Sequence, residues 1–226
     1  MSISLTVCFD LDGVLVDTEP VWERVRRRFA EAHGGRWTGD LQERMMGVQT
    51  RDWSTELSDA IGGRLDPGQI ASAVIEDLAA EYRQHLPVIE GAVPAVKRLA
   101  QEATLGLVSG SPRALITVVL QLTGLTDSFQ VAMSSDEVDK GKPAPDPYLG
   151  LARRLGADPA SCVAVEDSAN GILSAHSAGM SVVAIPRGEH QPRSDVLRLA
   201  DAVLDNISQL TPDVVRRLAA GRPQTR

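Results

Sequence analysis

The sequence predicts an α/β fold in which a doubly wound parallel sheet is interrupted, after its first strand, by an inserted α-helical domain. From residue 91 onward, short apolar runs alternate with amphipathic segments of helical period, which is the pattern of repeated β and α units in a parallel sheet. Between the first apolar run and residue 90, the period is helical and no convincing strand occurs. We therefore expect a core formed by residues 1–16 and 91–226, and a helical insert at residues 17–90.

Length, charge and hydropathy narrow the class of protein further. The 226 residues are enough for a domain that carries a second, inserted one. The net charge of -7 argues against a nucleic-acid partner, because phosphate backbones are bound through clustered Lys and Arg. The first apolar run is too short for a signal sequence or a membrane span, so we expect a cytoplasmic protein with no membrane partner.

The first strand is predicted at Leu5 to Phe9. This apolar run is followed by two acids, Asp10 and Asp12, and then by Gly13. A buried strand that opens into a tight loop has this pattern. In a parallel sheet, such loops line the ligand crevice at the carboxyl ends of the strands. Acids at this place either accept hydrogen bonds from backbone N–H groups of the turn or take part in catalysis or ligand binding.

The helical insert is predicted to begin near Thr18, where a capping residue is followed by an acid and a proline in the first turn. Glycine pairs at 34–35 and 62–63 separate helical segments. The predicted helices are Val21 to Ala32, Gly39 to Met46, Thr50 to Ile61 and Pro67 to His85.

The resumed core is predicted to alternate helices with strands. The predicted strands are Leu105 to Ser109, Phe129 to Met133, Cys162 to Val165, Ser181 to Ile185 and Ala202 to Leu204. The predicted helices are Ala92 to Gln101, Pro112 to Thr123, Pro147 to Leu155, Ser168 to Ala178 and Pro212 to Ala220.

Polar residues follow strand after strand at the same end of the predicted sheet. They are Asp10 after the first strand, Ser109-Gly110-Ser111 at the second, Lys142 in the loop after the third, and Glu166-Asp167-Ser168 at the fourth. In a parallel sheet these groups converge on one edge. Carboxylate oxygens suit Mg²⁺, and N–H and O–H donors suit phosphoryl oxygens, so the sequence predicts a site for both. Ser111 precedes Pro112 and is interpreted as the N-cap of the next helix rather than as a ligand.

The order of these motifs resembles that of the haloacid dehalogenase superfamily. The matching residues are Asp10-Leu11-Asp12-Gly13-Val14, Ser109, Lys142-Pro143, and Glu166-Asp167-Ser168 with Gly171. The insert resembles the four-helix cap of the β-phosphoglucomutase-like branch, and the whole resemblance extends from the first strand to about Ile185. It implies a Rossmann-like core, a helical cap that closes over the substrate, and a monomer.

The resemblance also implies a role for each motif residue. Asp10 is the expected nucleophile that forms an aspartyl phosphate, and Asp12 is the expected general acid and base. Mg²⁺ would be held by Asp10, the backbone carbonyl of Asp12 and Asp167, with Glu166 as a further acid close by. Phosphoryl oxygens would be bound by Ser109 and Lys142, and Gly13 and Gly110 are further expected substrate-binding positions.

Two cap segments bear on the substrate. Glu19-Pro20-Val21-Trp22 resembles the corresponding segment of sugar and polyol phosphate phosphatases, whereas β-phosphoglucomutases carry a histidine where Trp22 stands. Gly47-Val48-Gln49-Thr50-Arg51 resembles a segment that carries a substrate-contacting arginine, although its spacing differs by one residue. Trp22 and Arg51 are therefore candidate substrate contacts, and for Arg51 a role as a surface helix residue is an equal alternative.

The favoured function is hydrolysis of a small-molecule phosphate ester, with a sugar or polyol phosphate as substrate and Mg²⁺ as cofactor. A hexose phosphate mutase and a non-catalytic phospho-ligand binding protein remain as alternatives. A phosphonoacetaldehyde hydrolase would need a cap lysine for its Schiff base, and the first lysine of this chain is Lys97, beyond the cap. A haloalkanoate dehalogenase has no use for the second acid, Asp12.

Overall fold

A computed structural model describes residues 5–187 and 191–220 of the chain. Six strands form one sheet in the order β3-β2-β1-β4-β5-β6, and every neighbouring pair is parallel. The strands are β1 (Thr6–Phe9), β2 (Thr104–Ser109), β3 (Val131–Ser134), β4 (Cys162–Glu166), β5 (Ser181–Ala184) and β6 (Ala202–Val203). The predicted doubly wound sheet is confirmed, while the outermost parts of the predicted core, residues 1–4 and 221–226, lie outside the described residues.

The α-helices of the described residues follow the predicted alternation. They are α1 (Glu19–Ala32), α2 (Gly39–Met45), α3 (Thr50–Ala60), α4 (Pro67–Gln84), α5 (Ala92–Leu99), α6 (Arg113–Thr123), α7 (Asp146–Leu155), α8 (Ala169–Ser177), α9 (Ser194–Leu197) and α10 (Pro212–Ala220). The first four form the predicted helical insert between β1 and α5. Among the residues that can be described, no helix is long and apolar enough to cross a membrane.

β1 lies at the centre of the sheet because it pairs with both β2 and β4. All four of its residues are buried, and Val7 and Phe9 join one hydrophobic cluster while Cys8 joins another. Alternate residues of a strand point to opposite faces, so the sheet is covered by a core on each side. The strand order reverses between β1 and β4, which is where a doubly wound sheet opens its ligand crevice.

Two backbone segments, side by side, join the helical insert to the core. Val16 pairs with Val88 in an antiparallel bridge, and the Asp17 backbone N–H donates to the Pro87 carbonyl oxygen at 2.8 Å. The Ile89 N–H donates to the Leu15 carbonyl oxygen at 2.9 Å. The chain therefore leaves and re-enters the core through one paired connection.

A second set of contacts, made by Gln49 and Thr50 at the start of α3, joins the insert to the loop after β3. Gln49 is buried, and its side-chain amide donates to the Ser135 carbonyl oxygen at 2.6 Å. The Asp136 carboxylate accepts from the Thr50 backbone N–H at 2.9 Å and from the Thr50 hydroxyl at 2.5 Å. A carboxylate at a helix N-terminus is also favoured by the helix dipole.

Most element bounds differ from the predicted ones by one or two residues, and one short helix was not predicted. β3 begins at Val131 rather than at Phe129, because a 3₁₀ turn at Thr126–Ser128 precedes it and Phe129 is the C-cap residue of that turn. Helix α9 was not predicted, since four residues are too few to show a helical period.

Candidate active site

Asp10 follows β1 directly and lies at the carboxyl edge of the sheet, beside the end of β4. Its backbone N–H donates to the Val165 carbonyl oxygen at 3.0 Å, which continues the β1–β4 pairing by one residue. The side chain is only 8% exposed, and its Oδ1 accepts a hydrogen bond from Lys142 Nζ at 2.6 Å. The strand ladder therefore fixes where this carboxylate stands.

Lys142 connects two acids at the switch point of the sheet. Its Nζ donates to Asp10 Oδ1 at 2.6 Å and to Glu166 Oε1 at 2.5 Å, and its side chain is 6% exposed. Burial by itself would lower the pKa of Lys142, but the charges of Asp10 and Glu166 outweigh burial and raise that pKa above its usual range. The lysine therefore stays a cation and supplies the positive charge beside Asp10.

Three acids lie together at this point, and the single positive charge of Lys142 does not balance their negative charges. Carboxylate oxygens of Asp10, Glu166 and Asp167 lie within 4.8 Å of one another. Burial raises the pKa of Asp10 to about 8 against the opposing charge of Lys142, and burial, followed by the charge of Glu166, raises the pKa of Asp167. A further cation would stabilise the ionised acids, and this set of hard oxygen donors fits Mg²⁺.

Two glycines leave room for these acids. Gly13 has a φ of +80°, and a Cβ placed there would lie 1.8 Å from Asp167 Oδ2. A Cβ on Gly171, in the first turn of α8, would lie 1.9 Å from the Glu166 carboxyl group. Any larger residue at either position would displace an acid of the cluster.

The Asp12 carboxylate is held apart from this cluster by hydroxyl groups. Asp12 Oδ2 accepts from the Ser109 and Ser111 hydroxyls, each at 2.8 Å, and Oδ1 accepts from the Thr18 hydroxyl. Ser109 and Ser111 come from the end of β2, and Thr18 comes from the start of the insert. Residues from the core and from the insert thus orient the second acid together.

The interpretation of Ser111 as an N-cap is wrong. Pro112 is the N-cap residue of α6, and the Ser111 hydroxyl donates to Asp12 instead. The physical reason is that α6 begins at Arg113, one residue later than predicted, so Ser111 stands outside the cap position and its hydroxyl is oriented toward Asp12. Thr18 behaves alike: it is the N-cap residue of α1, yet its side chain makes no capping hydrogen bond and donates to Asp12.

Sequence reasoning missed Tyr148 altogether. Its hydroxyl donates to Glu166 Oε1 at 2.8 Å, and Lys142 Nζ lies 5.1 Å from the centre of its ring. Tyr148 is fully buried in the first turn of α7, six residues after Lys142. That proximity to a predicted site residue, in a helix that must pack on the sheet, was the available signal.

The other predicted site residues occupy the insert and its contact with the core. Trp22 is buried, and its ring meets Trp53 edge-on with 5.7 Å between centroids. Gly110 lies under the insert, because a Cβ placed there would be 3.6 Å from the Gly47 carbonyl oxygen. Arg51 is exposed and donates to the Asp139 carbonyl oxygen at 3.3 Å. Substrate contacts by Trp22, Gly110 and Arg51 stay predictions.

A doubly wound sheet with a helical insert, and an acid cluster with a lysine at the switch point, define a class of hydrolases. A profile of haloacid dehalogenase-like hydrolases matches residues 5–179, and the chain belongs to this family. The predicted family and its hydrolase class are therefore confirmed.

Individual relatives of this chain span nearly the same length. It is 33% identical to hexitol phosphatase B of Escherichia coli strain K12, over 92% of this chain and 94% of that protein. It is 34% identical to a phosphorylated carbohydrates phosphatase of Thermotoga maritima, over 77% of this chain and 81% of that protein. A β-phosphoglucomutase structure from Clostridium difficile superposes with a TM-score of 0.81 at 21% identity, covering 96% and 97% of the two chains, which shows a shared fold.

Proposed function

We propose that this chain is a Mg²⁺-dependent phosphomonoester hydrolase that acts on a small sugar or polyol phosphate through an aspartyl phosphate. The observation that carries the proposal is a pair of carboxylates in different settings: Asp10 is buried against Lys142, and Asp12 is held apart by three hydroxyl groups. Two acids with different partners suit two different roles. The substrate class is supported by the names of the relatives, which refer to hexitols and to phosphorylated carbohydrates.

The first step forms the aspartyl phosphate. An Asp10 carboxylate oxygen attacks phosphorus as the bond between phosphorus and the ester oxygen breaks, and Asp12 donates its proton to the departing alkoxide. Lys142, 2.6 Å from Asp10 Oδ1, orients the nucleophile and offsets the charge of the phosphoryl oxygens. When substrate binds, the Ser109 hydroxyl, which donates to Asp12 Oδ2 in the structure, turns to donate to a phosphoryl oxygen.

The second step returns Asp10 to its starting state. Asp12, now ionised, takes a proton from a water molecule, whose oxygen attacks phosphorus while the bond between phosphorus and the Asp10 oxygen breaks. Inorganic phosphate leaves, and Asp12 is again protonated. The hydroxyls of Ser111 and Thr18 keep this carboxyl group oriented between the two steps.

Asp10, Asp167 and the Asp12 backbone carbonyl would hold Mg²⁺, with Glu166 as a further acid beside them. When bound, the ion offsets negative charge on the transferring phosphoryl group. Glu166 is fully buried and keeps Lys142 and Tyr148 in place through hydrogen bonds to its Oε1.

Replacing Gly13 by alanine is expected to abolish phosphate release, because the added Cβ would collide with Asp167 as well as strain the backbone. Gly62→Ala is the matched control: its φ is +77°, and no atom lies within 4 Å of the added Cβ. Both variants should lose about 1–2 kcal/mol of unfolding free energy from the positive φ. Phosphate release and urea unfolding of both variants test this, and full activity in Gly13→Ala would remove the close packing of Asp167 from the site.

We propose that residues 17–90 act as a cap that closes on a core of residues 1–16 and 91–226, in a cytoplasmic monomer. The paired connection at Val16 and Val88 supports a hinge there, and the contact of Thr50 with Asp136 supports a closed state that core and cap stabilise together.

Asp136→Ala removes both acceptors of Thr50 and is expected to raise KM for a phosphate ester by about 3- to 10-fold, since a capping hydrogen bond contributes about 1 kcal/mol to the closed state. Asp127→Ala is the control, an exposed acid of the core in a short 3₁₀ segment. Steady-state kinetics of the two variants provide the measurement. Equal KM values would show that this contact does not hold the cap closed.

The direct test of the proposed function is phosphate release from a panel of hexose, pentose and hexitol phosphates, with and without Mg²⁺. We expect Mg²⁺-dependent release with at least one member of the panel. A mutase would instead return a phosphorylated product and require a bisphosphate activator, and a binding protein would turn over nothing. Either result would contradict the proposal.

A further inference from the structure

The helical insert contains buried polar side chains whose hydrogen-bonding capacity is incompletely used. Arg26 is 4% exposed, Gln42 is 8% exposed and Tyr82 is 2% exposed. Arg26 Nε, Gln42 Oε1 and the Tyr82 hydroxyl oxygen are buried and have no hydrogen-bond partner among the described residues. Because an unsatisfied buried polar atom costs about 1–3 kcal/mol, three of them in one small insert require an explanation.

Arg26 lies between two aromatic rings. Its guanidinium carbon is 4.3 Å from the centre of the Trp22 ring and 4.9 Å from that of Trp53, and its Nη1 donates to the Met45 carbonyl oxygen at 3.1 Å. The rings hold the guanidinium in place while offering its N–H groups no conventional acceptor. The Arg26 guanidinium is therefore held in one place, and its Nε–H can still donate a hydrogen bond.

Gln42 is linked to Arg26 through Glu19. The Gln42 side-chain NH₂ donates to Glu19 Oε1 at 2.6 Å, which leaves its own carbonyl oxygen as an acceptor. Glu19 is also the carboxylate that most opposes the effect of burial on Arg26: burial lowers the pKa of Arg26 to about 10, and the charge of Glu19 raises it. We call Glu19, Arg26, Gln42 and Tyr82 the polar cluster.

The polar cluster lies close to Asp12. The Tyr82 hydroxyl is near Thr18, whose own hydroxyl donates to Asp12. Burial raises the pKa of Tyr82, and the charge of Asp12 raises it further; that charge also acts on Arg26. Asp12 protonates the leaving alkoxide in the proposed reaction, so a leaving group whose ester oxygen lies at Asp12 is close to these side chains.

We propose that the polar cluster binds the hydroxyl groups of the leaving group, which makes Arg26, Gln42 and Tyr82 determinants of specificity. This inference rests on the proposed function. Arg26 Nε supplies a donor, Gln42 Oε1 supplies an acceptor, and the Tyr82 hydroxyl supplies either. A site built to bind hydroxyl groups rejects an analogue that lacks them, because its own buried polar atoms then stay unpaired.

The charges of the polar cluster select the class of leaving group. Glu19 and Arg26 carry opposite charges, so the cluster is neutral as a whole, and a second phosphate or a carboxylate on the substrate would meet the charge of Glu19. A neutral, polyhydroxylated leaving group matches these charges and the unpaired donor and acceptor atoms.

The test compares Arg26→Met with Arg28→Met on two substrates, sorbitol 6-phosphate and p-nitrophenyl phosphate. Arg28 is the matched control because it lies on the same helix but is exposed and paired with Asp77 and Glu81. The measured quantity is the ratio of kcat/KM for the hexitol ester to kcat/KM for the aryl ester. We expect Arg26→Met to lower this ratio by about 10- to 100-fold, the value of a hydrogen bond to a charged donor, and Arg28→Met to keep the wild-type ratio.

Tyr82→Phe provides a second, conservative variant, since it removes only the hydroxyl and keeps the buried ring. We expect the same ratio to fall by about 3- to 10-fold without loss of thermal stability. An unchanged ratio in both Arg26→Met and Tyr82→Phe would overturn the inference while leaving the proposed function intact. If the wild-type enzyme released phosphate from neither ester, that result would instead overturn the proposed function itself.

Discussion

Asp10→Asn is expected to release no measurable inorganic phosphate from any ester, with kcat at least about 10⁴-fold below that of the wild-type enzyme. The amide keeps the shape of the carboxylate and can still accept the hydrogen bond from Lys142, now 2.6 Å from Asp10 Oδ1. It lacks the negative charge that makes the oxygen a nucleophile. Phosphate release at saturating Mg²⁺ is the measurement, and the unfolding midpoint checks that the variant is folded.

Asp17→Asn is the control for this result. Asp17 stands seven residues after Asp10, is exposed, and contacts Pro87 through its backbone rather than its side chain. It should turn over like the wild type. Turnover by Asp10→Asn within about tenfold of the wild-type rate would mean that another group attacks phosphorus, and the aspartyl phosphate would have to be abandoned.

The strand ends and the acids that follow them could be predicted from sequence, because both are local features. An apolar run that stops at Asp10, and another that stops at Glu166, need no knowledge of the remainder of the chain. The parallel order of the strands then brings the two ends together.

The partners of hydroxyl groups could not be predicted in the same way. Ser111 and Thr18 both stand at helix starts, where a capping role is the local preference, and only the folded chain brings the Asp12 carboxylate to both of them. Tyr148 was missed for a similar reason, since its partner Glu166 lies 18 residues later in the chain.

Arg26 shows a further limit of local reasoning. It stands in a stretch with four arginines, and arginine is normally exposed, so composition predicts a solvated helix face. In the structure Arg24, Arg27 and Arg28 are paired with acids at the surface, whereas Arg26 turns inward. Its i,i+4 spacing from Trp22 was the only local signal, because it places both residues on one face of α1.

Asp12→Asn is expected to separate the two chemical steps when the substrate is an aryl phosphate. p-Nitrophenolate is a good leaving group that departs without a proton, so transfer of the phosphoryl group to Asp10 should still occur. Hydrolysis of the aspartyl phosphate needs a base to take a proton from water, and asparagine provides none. We therefore expect one equivalent of nitrophenol in a rapid burst, followed by turnover about 10²- to 10⁴-fold slower than that of the wild type.

The substrate dependence of this burst is the decisive part of the experiment. A hexitol phosphate has a poor leaving group that needs the proton of Asp12. The same variant should therefore release no burst of free hexitol from that ester. The burst with the aryl ester should still require Mg²⁺, because the acid cluster of Asp10, Glu166 and Asp167 is intact. A burst with both esters would assign protonation of the leaving group to another residue, and wild-type turnover would show that Asp12 serves neither step.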